Sequence, residues 1–139
     1  MNRKRWAVVI LAATGLTAGG CGGPSRPPLA KVHGKVTYKG KPLTSGTVVF
    51  MPVAGMGAEG PTGAGQPSAS PIKPDGSYEL TTDNPGDGAI VGEHKVAVVS
   101  VDPTSKKSVI PEKYQAPGST PLSRTVKEGD NAIDIEVTD

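Results

Sequence analysis

Polar and apolar residues alternate cleanly from Lys31 to Lys39. Val32, Gly34, Val36 and Tyr38 fall on one face, and Lys31, His33, Lys35, Thr37 and Lys39 on the other. A period of two marks a strand with one buried face. Gly40-Lys41-Pro42 breaks the run. Gly46 to Met51 restarts it, with Val48 and Phe50 on the inner side, and Pro52 closes it. Ser68 to Lys73 predicts a short strand, which Pro71 assigns to a sheet edge. Pro74-Asp75-Gly76 predicts a tight turn into a strand over Ser77 to Thr82, with Tyr78 and Leu80 inward, so the two strands are expected to form a hairpin. Asp83 to Gly88 is a second turn cluster. Glu93 to Val101 is apolar on both faces and predicts the central, most buried strand. Asp102 to Pro121 carries no period. Leu122 to Lys127 and Ala132 to Thr138 flank the turn Glu128-Gly129-Asp130-Asn131 and predict a last hairpin, with Ile133, Ile135 and Val137 inward.

No stretch of ten residues holds a 3.6-residue period. Seven strands at this spacing predict an all-β fold, a seven-stranded antiparallel sandwich. Residues 52–67 are Gly- and Pro-rich and predict a long loop, of a kind that is functional or disordered, and here a disordered segment or mobile tip is expected. Gly (19) and Pro (14) fall mainly between the patterned segments, so they read as turns rather than as a low-complexity chain.

The first 20 residues follow another logic. Arg3-Lys4-Arg5 precedes the apolar run Trp6 to Ala13, and small residues lead to Cys21. The run is too short for a stable transmembrane helix, which needs about 20 apolar residues. Its order of charge, apolar run and small residues is that of a secretory signal. Ala18-Gly19-Gly20-Cys21 resembles a bacterial lipobox, although Ala18 stands where Leu is usual. That resemblance implies cleavage before Cys21 and lipidation of its thiol. Cys21 is the one cysteine of the chain, so an intrachain disulfide is excluded. Acyl chains contribute about 0.8 kcal/mol per buried methylene, so several would hold the protein to a membrane. The expected organisation is therefore a signal peptide over 1–20, a Gly/Pro tether over 21–30 and one domain over 31–139. Gly22 after the cysteine, rather than Asp, points to outer-membrane sorting under the usual proteobacterial rule.

Removal of the leader changes the charge. Without Arg3, Lys4 and Arg5 the 15 Lys and Arg fall to 12, against 13 Asp and Glu. A mature domain near neutrality has no basic field for phosphates, which argues against nucleic acid as a partner.

Three motifs together carry a family likeness. They are Val32-His-Gly-Lys-Val-Thr-Tyr-Lys-Gly-Lys-Pro-Leu43 leading to Gly46-Thr-Val-Val-Phe50, Asp75-Gly-Ser-Tyr-Glu-Leu80, and Gly86 to Val98. The pattern resembles carboxypeptidase regulatory-like, transthyretin-like domains, and especially the small lipoproteins of that type in planctomycete bacteria. Ile110-Pro-Glu-Lys-Tyr114 and the Glu128 to Asn131 turn fit the same group. The resemblance covers about residues 31–138 and implies a prealbumin-like sandwich without a characteristic activity.

Candidate chemistry is sparse. Gly55-Met-Gly-Ala-Glu-Gly60 has the G-x-G-x-x-G spacing, but Pro61, Gly63 and Gly65 follow, so no phosphate-binding helix can start there. Asp83-Asn-Pro-Gly-Asp-Gly88 has a calcium-loop look, but Pro85 and His94 occupy positions where an EF-hand needs oxygen ligands. Asp83 and Asp87 remain candidates for an irregular calcium contact. His33 is expected on a solvated strand face and His94 at the opening edge of the central strand, too few for a zinc site. No G-x-S-x-G elbow is present. The transthyretin-like hydrolase of hydroxyisourate ends in Tyr-Arg-Gly-Ser, whereas this chain ends Glu136-Val-Thr-Asp139. The expectation is a non-enzymatic, cofactor-free domain anchored to the envelope, with an envelope protein as partner and a glycan or peptide ligand as the alternative. Burial of the aromatics would favour the structural or protein-contact role, and exposed aromatics the glycan.

Overall fold

A computed structural model describes residues 28–53 and 66–139. The leader, Cys21, the first part of the tether and the Gly55 to Gly60 motif lie outside the described residues. Within them the chain is an all-β sandwich of two sheets. No helix among the described residues is long and apolar enough to cross a membrane.

The first sheet is built on one long strand, β1 (Leu29–Tyr38). Its alternation is as read: Val32 and Val36 are buried while Lys31, His33 and Lys35 are exposed. A two-residue turn joins it to β2 (Lys41–Pro42). Lys39 and Gly40 both take positive φ there, 52° and 75°, the backbone twist that favours tight hairpins. β1 begins two residues before the expected domain boundary, because buried Ala30 and half-buried Leu29 pair with β6 (Ala89–Ile90).

The second sheet has the order β4 (Ser68–Pro71), β3 (Thr47–Pro52), β7 (Gly92–Val99), β8 (Ser123–Val126). Pro71 lies on the edge strand, as its missing N–H requires. β7 is an interior strand with Val96, Ala97 and Val98 all buried. Val101 lies past its end and is 42% exposed, so the strand expected to run through 101 is shorter than its apolar run.

The seven expected strands are present, with β2, β6 and β9 (Asp130–Ala132) added. The first expected hairpin forms only in part, and the last is corrected. The turn at Gly76 forms, with φ of 83° and its N–H on the Lys73 carbonyl at 2.8 Å. Its two arms nevertheless belong to different sheets: β4 pairs with β3, whereas β5 (Ser77–Glu79) pairs with β1. Ala69 and Thr81 exchange backbone hydrogen bonds, both of 3.0 Å, and so tie the sheets together on that side. Likewise β8 joins the second sheet, while β9 and β10 (Ile135–Val137) run parallel to β1 in the first. Asp130 and Asn131 are therefore strand rather than turn. The Asn131 amide makes the crossing rigid: it accepts from Lys127 N (2.9 Å) and donates to the carbonyls of Lys127 (2.7 Å) and Lys31 (3.1 Å).

Between the sheets, Val32, Val36, Tyr78, Leu80, Ile135 and Val137 meet Val48, Phe50, Val96, Val98 and Val126. Each fully buried side chain of this kind contributes roughly 1.5–3 kcal/mol. With few aromatics, the core depends on many branched aliphatic residues.

Candidate functional site

The ends of the sandwich differ. At the end where β1 begins, Pro28 enters and its carbonyl accepts Val91 N at 3.0 Å. At the other end three loops surround a groove of about 500 Å³. The Tyr38–Lys41 turn, the Leu43–Ser45 segment, and Ser100 with Asp102, Pro103 and Val109 line it. Its apolar surface comes from Tyr38, Pro42, Leu43, Pro103 and Val109, the last 41% exposed.

Hydrogen bonds hold the groove in shape. Ser100 Oγ donates to Ser45 O at 2.9 Å, Val109 N to Ser100 O at 2.9 Å, and Leu43 N to Val36 O at 2.9 Å. Asp102 Oδ1 accepts the N–H groups of Thr104 (2.9 Å) and Ser105 (2.6 Å), which lower its pKa and close the Asp102–Lys107 loop. On the opposite lip, Asp139 accepts Tyr38 OH and pairs with Lys39 Nζ, both at 2.6 Å. These bonds hold the Lys39 ammonium charged to higher pH and the Asp139 carboxyl to lower pH than usual. Lys39 Nζ also sits 5.2 Å from the Tyr38 ring centre.

A second, shallower depression of about 620 Å³ lies on the outer face of β1, β5 and β9. Lys35, Lys73, Glu79 and Asp134 border it together with His33, whose Nε2 pairs with Asp130 at 3.1 Å. Its mixed charges give it little means of selecting a ligand.

The residues singled out in the sequence are dispersed. Asp87 turns both carboxylate oxygens into its own loop, accepting N–H groups of Thr82 (2.7 Å), Asp83 (3.0 Å) and Asn84 (2.8 Å). Desolvation pushes its pKa up, but the donors of Thr82, Asn84 and Asp83 together bring it below the usual value. Asp83 Oδ1 accepts Gln66 Nε2 at 3.1 Å. No group of three or more His, Cys, Asp or Glu among the described residues could hold a metal ion. Cys21 lies outside the described residues.

His94 is not at an edge, as its position suggested, but fully buried against Phe50, with ring centres 5.8 Å apart. Its Nδ1 lies 3.0 Å from Gly92 O. A carbonyl only accepts, so Nδ1 carries the proton and Nε2 is left as a lone pair. That nitrogen has no hydrogen-bond partner. Phe50, Tyr78 and Tyr114 are buried too, and Lys113 Nζ lies 5.0 Å from the Tyr114 ring centre.

No family model matches the chain, and no curated protein matches it. Among solved structures, a DUF3823 family protein from Parabacteroides merdae is similar at a TM-score of 0.46 and 18% identity. The match covers 81% of this chain and 47% of that protein, so this chain spans about half its length.

Proposed function

We propose that the protein is a lipid-anchored, non-enzymatic β-sandwich of the carboxypeptidase regulatory-like kind, acting by protein contact in the cell envelope. The observation that carries this reading is the placement of β1. The chain enters the domain at Leu29, and the groove begins at Tyr38, the last residue of the same strand. A ten-residue strand at about 3.3 Å per residue separates those points by roughly 30 Å. A domain tethered through Cys21 would therefore hold its groove away from the membrane surface.

The non-enzymatic part draws support from the histidines. His33 is on the outer face of the first sheet and His94 is inside the second, so they do not share a site. Protein contact is favoured over a glycan by the aromatic residues. Phe50, Tyr78 and Tyr114 are buried, and Tyr38 is half-buried with its hydroxyl held by Asp139 and Lys39 near its ring. Of these rings only Tyr38 borders the groove, and one half-buried ring is a small platform for a sugar.

Detergent phase separation of whole cells tests the anchor. The protein is expected in the detergent phase and the Cys21→Ser variant in the aqueous phase. Recovery of both in the aqueous phase would contradict the proposal.

A further inference from the structure

We propose that His94 is an acid latch on β8: a proton on its buried ring releases that edge strand and bares the edge of β7. This goes beyond the protein-contact reading and depends on neither the anchor nor the groove.

The ring has no place for a second proton. It is fully buried, with the Phe50 ring centre 5.8 Å away. Nδ1 donates to Gly92 O at 3.0 Å, and Nε2 has no hydrogen-bond partner. The surroundings offer an added charge no compensation. From β3 the ring meets Phe50 and Pro52, which carry no charge. From β8 its partner is Arg124, a cation whose Nη1 donates to Ser123 O at 2.7 Å. Glu93 and Lys95 of its own strand project from the opposite face. In the first sheet, Tyr78 lies beyond Phe50 and donates its hydroxyl to Ile133 O, while Asp134 accepts Lys35 N. Ala30, Val32 and Ala89, buried inside that sheet, are apolar. No carboxylate among the described residues acts on the ring, and burial holds its pKa below the ordinary 6.5. An imidazolium is therefore stable here only where water reaches Nε2.

The way out runs past β8. That strand is a four-residue edge of the second sheet, and Val126 is its one fully buried side chain. On the other side of β7, β3 is held between β7 and β4. Two side-chain anchors delimit the opening. Thr120 Oγ donates to Val96 O at 2.6 Å before β8, and the Asn131 amide holds Lys127 after it. The ring is also coupled to the ladder, because Gly92, whose carbonyl holds Nδ1, pairs with Val126. Moving the ring toward water breaks that hold and loosens the rung beside it.

The test follows amide hydrogen exchange at Arg124 and Val126 in the full-length protein in detergent, at pH 7.5 and 5.5, corrected for the intrinsic rate. A ring exposed to water in the open strand titrates near 6.5, so the open fraction is expected to rise about tenfold between these values. The rise is expected to be absent in His94→Leu and in His94→Phe, the second of which keeps an aromatic ring against Phe50. In the parent the acid-sensitive exchange is expected to depend only weakly on urea, as a local opening does. That readout needs no variant. No rise at pH 5.5, a rise of the same size in either variant, or a urea dependence equal to that of global unfolding would overturn the inference.

Discussion

A Cβ on Gly34 would fall inside the van der Waals shell of the Ile133 carbonyl oxygen. This close approach explains how the last segment passes over β1. At Ile133 and Asp134 the chain leaves β9 and re-enters as β10, both parallel to β1. Ile133 N donates to His33 O at 2.7 Å, Tyr78 OH donates to Ile133 O, and Asp134 Oδ1 stands in for a backbone acceptor at Lys35 N, 3.0 Å away. A side chain at position 34 would push this crossing off the sheet.

Gly34→Ala is therefore expected to destabilise the fold by about 1–3 kcal/mol, the usual scale for overpacking a rigid site. The clashing atom is backbone, which cannot rotate away. Urea unfolding checks this, and a variant as stable as the parent would show that the crossing has slack.

Stability should also depend on His94 near neutral pH. Burial holds its pKa below the ordinary 6.5, with the Gly92 carbonyl opposing more weakly. Between those two values the unfolded chain binds a proton that the folded chain does not. Stability is therefore complete above about pH 6.5 and falls as pH drops toward the folded value, by at most about 1.4 kcal/mol per pH unit for one proton. Arg124 is paired with His94 across the β7–β8 ladder. His94→Leu removes the titrating group and the unpartnered nitrogen together. Its unfolding midpoint is expected to be flat from pH 7.5 to 5, while the parent's falls; parallel curves would refute the assignment.

Asp87 organises the Thr82–Gly88 loop through three backbone N–H groups. Asp87→Ala leaves those donors to water and is expected to cost about 1 kcal/mol, as loss of a comparable cap does. Millimolar calcium is expected to leave the parent's melting temperature unchanged, because the carboxylate is already engaged. A calcium-dependent rise lost in Asp87→Ala would instead reveal a cation site.

Much of the architecture was legible because alternation is a local property. Val32, Val36, Val48, Phe50, Ile135 and Val137 all face inward, as period two requires. What alternation does not encode is the sheet to which a strand belongs. The Gly76 turn and the 128–131 turn both look like hairpin turns, yet each carries the chain from one sheet to the other. The decisive contact at the second turn, Asn131 with Lys31, spans residues far apart in sequence. His94 was misplaced for a related reason: a polar residue at the start of an apolar run reads as an edge, and only the packing of Phe50 shows it to be core. The groove was hidden because residues 38–45 and 100–109 meet only in the folded chain.

The central claim is attachment through Cys21, and intact mass of the membrane-extracted protein tests it most directly. The expected result is a chain beginning at residue 21 and carrying acyl chains, with the added mass lost in Cys21→Ser. An unmodified chain, whether cut elsewhere or uncut, would contradict it and leave the groove on a freely diffusing protein.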